Sequence, residues 1–223
     1  MKALQVPRRF VRQEWGGTET VILETAKRLP THGIGTAVAC PNVLADCAEE
    51  SIEGVAVRRF PYVYPYWGLT REGRDRLDHK GGDLFSFPLL RYLRSIPELD
   101  LIHLHAGKRL DGLCRQVARQ RGIPYVVTIH GGVMNTPGDE DDIWNNPTRG
   151  TIEWGKILAL RYSSRRVLDD AAAILCVDRE DAARMAGLYP AKRILHLPNG
   201  VVPQRFVGGD RARFRTRVGL AED

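Results

Sequence analysis

The chain has 223 residues, 43 % hydrophobic and 27 % charged, which are ordinary globular proportions and exclude a disordered or fibrous chain. Lys and Arg total 33 against 27 Asp and Glu, a net charge of +6 that suits an anionic ligand or membrane surface. Both signs are interspersed, so the balance does not imply nucleic acid, and none is expected as a partner.

The four cysteines, Cys40, Cys47, Cys114 and Cys176, form no CxxC pair and read as reduced, mostly buried thiols. MKALQVPRRF lacks an apolar h-region, so no signal peptide is expected. The longest apolar run, Ala171 to Val177, is too short to span a bilayer. A cytoplasmic protein with peripheral contact at the inner membrane face is the expectation.

In chain order, strands are expected at Ala3–Val6, Thr36–Cys40, Val55–Phe60, Leu101–His105, Tyr125–His130, Ala173–Val177 and Ile194–Leu197. Several are continuous apolar runs, as befits strands buried on both faces of a parallel sheet. Helices are expected between them. Thr18–Leu29 puts Val21, Ile22, Thr25, Ala26 and Leu29 on one stripe, with Gly33 after its end. Arg109–Arg121 puts Leu110, Leu113, Cys114, Val117 and Ala118 on one face, and Gly122 stops it. Thr151–Leu168 and Arg179–Ala186 follow. This rhythm predicts a doubly wound, Rossmann-like α/β parallel sheet with right-handed crossovers. Pro61–Leu84 and Gly131–Gly150 read as long connections, of a length that is usually functional or disordered. Gly208–Asp223 is charged and reads as a helix.

In open α/β sheets, ligands bind beyond the carboxyl ends of the strands. After the first strand, Trp15-Gly16-Gly17-Thr18-Glu19 opens directly into a helix. Two glycines let the backbone approach a ligand, and unpaired N–H groups at a helix start suit phosphate. The plainer reading is a tight turn capped by Thr18. His103 and His105 lie two apart on one side of a strand, and His130-Gly131 ends the next. Imidazole there can hydrogen-bond a sugar hydroxyl or phosphate, move protons, or simply be satisfied by backbone carbonyls. Three histidines could also hold zinc, but no strand-end carboxylate completes the shell, so no metal is expected. Asp178 reads as the cap of the helix after the sixth strand, and Asn199-Gly200 reads as a sharp turn. The acidic run Asp139–Asp142 and the basic face of Lys156, Arg161, Arg165 and Arg166 read as solvated. For the basic face the functional alternative is a patch for anionic lipid or a phosphorylated acceptor. Tyr62, Tyr64, Tyr66 and Trp67 could stack on a sugar, dip into a membrane interface, or pack at an edge.

Taken in order, five segments resemble the N-terminal domain of the retaining glycosyltransferases of family 4, which have the GT-B fold. They are Gly16-Gly17-Thr18-Glu19 with the helix through Leu29 to His32-Gly33; Asp100 to His105; Pro124 to His130-Gly131; Ala171 to Val177; and Pro198-Asn199-Gly200-Val201 with Arg205-Phe206. The resemblance implies two Rossmann-like domains across a cleft, the first holding mainly the acceptor and the second mainly a nucleotide-sugar donor. Gly16 and Gly17 match the loop that approaches the donor phosphates, and His130 matches the strand-end histidine near the transferred sugar. His105, Gly131 and Asn199 are carried over as substrate-binding positions. No metal and no cofactor are implied. The acceptor would be a sugar or a lipid-linked hydroxyl. Two local departures are Val202, where family members often have an acidic residue, and Cys176-Val177-Asp178, where a serine-containing turn is usual. Residues 1–206 are expected to form the acceptor-side domain and 207–223 a linker into a C-terminal Rossmann domain that is missing here. Alone, the chain is expected to transfer sugar poorly or not at all. The alternative from another class is a non-catalytic binding module, or a split-enzyme subunit that recruits a separate catalytic domain.

Overall fold

The computed structural model describes residues 1–105, 109–131, 146–162 and 164–220. Its strands form where β-branched and apolar residues cluster: β1 (Lys2–Val6), β2 (Gly35–Pro41), β3 (Glu49–Ile52), β4 (Val55–Phe60), β5 (Tyr66–Trp67), β6 (Leu101–Leu104), β7 (Tyr125–Ile129), β8 (Ile152–Glu153), β9 (Ala173–Cys176) and β10 (Ile194–His196). Eight lie in one sheet of order β10-β9-β7-β6-β1-β2-β4-β3. All its pairings are parallel except β3 with β4. From β1 the chain winds outward through β2 and β4, then returns to β6 and winds the other way. The order therefore reverses between β1 and β6, which makes their carboxyl ends the switch point.

The expected strands all form, each within a residue or two of its anticipated ends. His105 and His130 fall just past β6 and β7 rather than inside them. Strand β3 is an addition. EESI carries too much charge to read as buried, and only Ile52 is. It is an edge strand, folded back on β4 by Glu53 (φ 49°) and Gly54 (φ 85°), the left-handed pair that a two-residue hairpin demands.

The helices are α1 (Gly17–Arg28), α2 (Arg71–Lys80), α3 (Phe87–Ser95), α4 (Arg109–Arg121), α5 (Gly155–Arg161), α6 (Val167–Asp170), α7 (Arg179–Leu188) and α8 (Arg211–Val218). Helix α1 buries Glu19, Ile22, Leu23 and Ala26, an i, i+3, i+4, i+7 set rotated from the expected stripe. Val21 and Thr25 turn instead toward Gly200–Val202 across a cavity of about 180 Å³. Helix α4 buries all five residues expected of it.

Two expectations are corrected. Pro61–Leu84 is not an open connection, because α2 forms inside it. That helix has one apolar anchor, Leu77, so hydrophobic spacing does not reveal it. Its ends hold it instead: Thr70 accepts from Gly73 N–H, and Gly81 closes it at φ 99°. The expected helix Thr151–Leu168 is broken. Residues Ile152–Glu153 pair with Tyr66–Trp67 as a two-stranded ribbon, followed by α5, a 3-10 turn at Ser164–Arg166, and α6. Ser164 packs so close to Gly112 of α4 that a Cβ there would sit 2.3 Å from its hydroxyl. The four basic residues therefore divide between α5 and the turn, and Lys156 and Arg165 line one cavity. The acidic run Asp139–Asp142 and most of Gly131–Gly150 lie outside the described residues.

The larger apolar cluster joins Leu4, Val6, Ile102, Leu104, Val127 and Ile129 to α3 and α4. The smaller joins Val38, Cys40 and Val57 to Ile22, Leu23 and Ala26 of α1 and to Phe10. Cys40, Cys114 and Cys176 are buried and Cys47 is exposed; all four are free thiols. No helix among the described residues is long and apolar enough to cross a membrane.

Candidate functional site

Side chains alternate across a sheet, and parallel partners share a face. Gln5 of β1 is in register with His103 of β6, and His103 with Val126 of β7. Gln5, His103, His105, Thr128 and His130 therefore stand on one face, on three adjacent strands. They form a polar strip running to the carboxyl rim beside the switch point.

The strip is hydrogen-bonded along its length. His103 Nε2 lies 2.6 Å from Thr128 Oγ1. His105 Nδ1 lies 2.8 Å from His130 Nε2, and His105 Nε2 lies 2.8 Å from Gln5 Oε1. The ring centroids of His103 and His105 are 4.1 Å apart, and those of His105 and His130 are 5.1 Å apart. Burial disfavours the imidazolium, and neighbouring imidazoles add to that effect. Burial, with His130 alongside, lowers His103 to about 4. Burial, then His103 and His130, hold His105 well below its ordinary value. Burial alone lowers His130. At neutral pH all three are uncharged, each offering one donor and one acceptor nitrogen. Both His105 nitrogens are engaged within the strip, and among the described residues no group of three or more His, Cys, Asp or Glu is arranged to hold a metal ion.

Gly16 and Gly17 follow β1 and sit exposed at the same rim. Gly16, not Thr18, is the N-cap of α1, and its backbone is extended (φ −131°). Its N–H donates to the Glu19 carboxylate at 3.0 Å. A Cβ on Gly17 would meet nothing within 4 Å, so the space above the first turn is open. The N–H groups of that turn have no intrahelical acceptor, a consequence of helix geometry. Gly131 adopts φ 95°, a left-handed conformation that glycine takes without strain, so backbone shape alone accounts for it. Asn199 is exposed beyond β10, and the Asn199-Gly200 pair runs on without the sharp turn expected of it. The neighbouring Gly200–Val202 stretch lies alongside α1. Asp178 caps α7 as expected, accepting from Glu180 and Asp181 N–H at 2.8 and 3.1 Å.

A larger cavity, about 600 Å³, opens beside the start of α4 and is lined by Asp83, Arg109, Lys156, Leu160, Ser164 and Arg165. Arg109 is anchored there by Asp83 (3.2 Å) and by Glu153. Sequence spacing did not single out Arg109, because its partners lie 26 and 44 residues away. Gln5 was also missed; its one signal is an amide among apolar residues in KALQV. The aromatic stretch divides. Tyr62 and Tyr64 pack edge to face and both donate to Asp78, so they belong to the fold. Trp67 is exposed, 6.5 Å from Trp154 between ring centroids.

Comparison with known proteins bears on this arrangement. The chain is 26 % identical to a D-inositol 3-phosphate glycosyltransferase of Stackebrandtia nassauensis, over 93 % of this chain and 45 % of that protein. It is 27 % identical to one of Geodermatophilus obscurus, over 93 % and 44 %. The chain thus spans about half the length of the curated relatives it matches. Among solved structures, Arabidopsis thaliana UGT89C1 complexed with UDP superposes with a TM-score of 0.51 at 13 % identity, covering 100 % of this chain and 55 % of that one. Phytolacca americana UGT2, complexed with UDP-2fluoro-glucose and pterostilbene, gives 0.50 at 12 %, covering 97 % and 56 %. At such identities the likeness concerns the fold. Residues 16–200 match the glycosyl transferase 4-like domain, from the Gly16-Gly17 rim through the histidine strip to Gly200, and the chain belongs to that family.

Proposed function

We propose that this chain is the acceptor-side half of a retaining, GT-B glycosyltransferase that moves a sugar from a nucleotide-sugar to a hydroxyl acceptor. The carrying observation is the common rim: the open first turn of α1 and the neutral His105–His130 pair flank one switch point. In this reading Gly16 and Gly17 admit the donor diphosphate to backbone N–H groups, and His130 meets the transferred sugar. Asn199 borders the cleft. Residues 1–206 form the domain, and 207–223 lead to a second Rossmann-like domain that supplies most of the donor pocket. The leaving diphosphate is stabilised by fixed dipoles and by cations of that second domain, with no metal or cofactor. The acceptor occupies the 600 Å³ cavity, where Lys156 and Arg165, beside an Arg109 already paired with Asp83 and Glu153, suit an anionic group. That two relatives carry the name D-inositol 3-phosphate glycosyltransferase supports this class. A cytoplasmic location belongs to the same reading.

The test uses the two-domain enzyme, with nucleoside diphosphate release followed over a panel of nucleotide-sugars. His130→Ala should lower kcat/KM by roughly 100-fold with the fold intact. Unchanged turnover in that variant would remove His130 from the site.

A further inference from the structure

The two-stranded ribbon sorts its residues by face. Tyr66 is paired with Glu153 and Trp67 with Ile152, so each pair shares one side of the ribbon. The inner side is occupied: Tyr66 packs against the larger apolar cluster, and Glu153 is paired with Arg109. The outer pair faces solvent, with Trp67 64 % exposed and Ile152 66 %. The ribbon is pinned in that pose. Trp154 donates its N–H to the Pro65 carbonyl at 3.1 Å and stacks on Phe85, and a Cβ on Gly155 would sit 2.4 Å from Pro65. Helix α5 starts at once and exposes Ile157 (75 %) and Leu160 (69 %). The ribbon and the helix that continues it thus hold four large apolar side chains in water, a concentration that marks an interaction surface rather than ordinary scatter.

Charge narrows what covers them. Residues 152–166 carry Lys156, Arg161, Arg165 and Arg166 against one acid, Glu153, whose carboxylate is taken by Arg109 and Lys156. Arg166 lies 3.8 Å from Asp170, while Arg161 and Arg165 have no acidic partner among the described residues. A two-fold contact between copies of this chain would bring these cations onto one another. An anionic bilayer meets both features at once. Indole and aliphatic side chains enter the headgroup boundary, and Lys and Arg reach lipid phosphates from their long stems. We propose that the outer face of the β5–β8 ribbon, together with α5, docks on an anionic membrane surface as a peripheral contact. The cavity of about 600 Å³ shares Lys156, Leu160 and Arg165 with this surface, so docking brings its mouth to the headgroups. On the sugar-transfer reading, a lipid-linked hydroxyl is the acceptor that enters there; the docking itself does not depend on that reading.

Co-sedimentation of the full chain with phosphatidylcholine vesicles, with and without phosphatidylglycerol, reads the partition coefficient. Phosphatidylglycerol should raise it about tenfold or more at low salt, and added salt should reverse most of that gain. Trp67→Ser combined with Ile157→Ser should lower partition onto the anionic vesicles about tenfold or more. Both residues are exposed, so the fold should persist, and a thermal melt checks it. Trp67→Phe should bind like wild type while losing fluorescence quenching by brominated lipid, which shows that the indole itself enters the headgroup region. Absence of partition, equal partition onto both vesicle types, or partition unchanged in the double variant would overturn the proposal. Self-association in light scattering that the double variant abolishes would assign the face to a second copy and overturn it too. Failure to bind vesicles leaves the transferase reading intact, and loss of that reading through an active His130→Ala enzyme leaves the docking surface standing.

Discussion

Gly17 separates stability from binding at the level of one atom. A methyl group there would touch no protein atom, and the residue sits in the first turn of α1 with ordinary helical backbone. Alanine in a helix costs less chain entropy than glycine, so Gly17→Ala should leave the melting temperature unchanged or raise stability by up to about 1 kcal/mol. Under the proposed function the methyl would stand in the path of the donor diphosphate, so the donor KM of the two-domain enzyme should rise about tenfold or more, an effect of about 1.4 kcal/mol. Thermal melts and initial rates check the two halves, and a Gly17→Ala enzyme with wild-type donor KM removes the glycine turn from the donor site. Glu19 shows what sequence could and could not say here. With the cap read at Thr18 its role was hidden; with Gly16 as the cap, Glu19 stands three positions on and reaches back. Its carboxylate takes the Gly16 N–H for itself, leaving only the next N–H groups for a ligand.

Helix α2 is an element held at its carboxyl end by a residue from the segment after β1. Arg8, two residues beyond β1, donates to Leu77, Asp78 and Gly82 carbonyls and to the Tyr64 hydroxyl. Arg9 reaches the Asp78 and His79 carbonyls and pairs with Glu14 at 3.3 Å. A cation at a helix carboxyl end is favourable, and these bonds satisfy carbonyls that the helix leaves open. The same contacts tie the loop before Gly16 to α2. Arg8→Met keeps the stem and removes the donors, and should cost about 2–4 kcal/mol in a denaturant titration. A loss below about 0.5 kcal/mol would mean that α2 is held by Leu77 alone. Nothing in REGRDRLDHK advertises this helix, because its stability comes from Thr70, Gly81 and a distant arginine rather than from an apolar stripe.

For the molecule as a whole, the histidine strip makes folding sensitive to acid. His103 falls to about 4 through burial, and His105 and His130 are lowered too. The unfolded chain titrates its histidines near their ordinary value of about 6.5. Below that pH the unfolded state binds protons that the folded state refuses. Stability contributed by the neutral strip is therefore complete above about pH 6.5 and is lost as the pH falls toward about 4. The slope approaches about 1.4 kcal/mol per pH unit for each histidine held neutral. Denaturation midpoints across this range should fall steeply for wild type and less steeply for His103→Asn. Parallel curves would show that these rings do not govern acid unfolding.

The rhythm of strands and helices was legible because it is local. Apolar runs such as AILC and the i, i+3, i+4 face of α4 carry their period within a dozen residues. The caps at Gly33, Gly122 and Asp178 depend on conformational preferences of single residues, and they too were readable. The rim itself followed from the parallel rhythm, since every βα turn must emerge on one side. The tertiary structure alone decided the strand order that sets the switch point between β1 and β6. It also decided the break after Glu153, and the contacts that carry the most chemistry: Gln5 on His105 and His105 on His130. Those contacts join residues 100 and 25 positions apart. A hydrogen bond depends on distance and direction in space, and no periodicity along the chain encodes which strands will become neighbours.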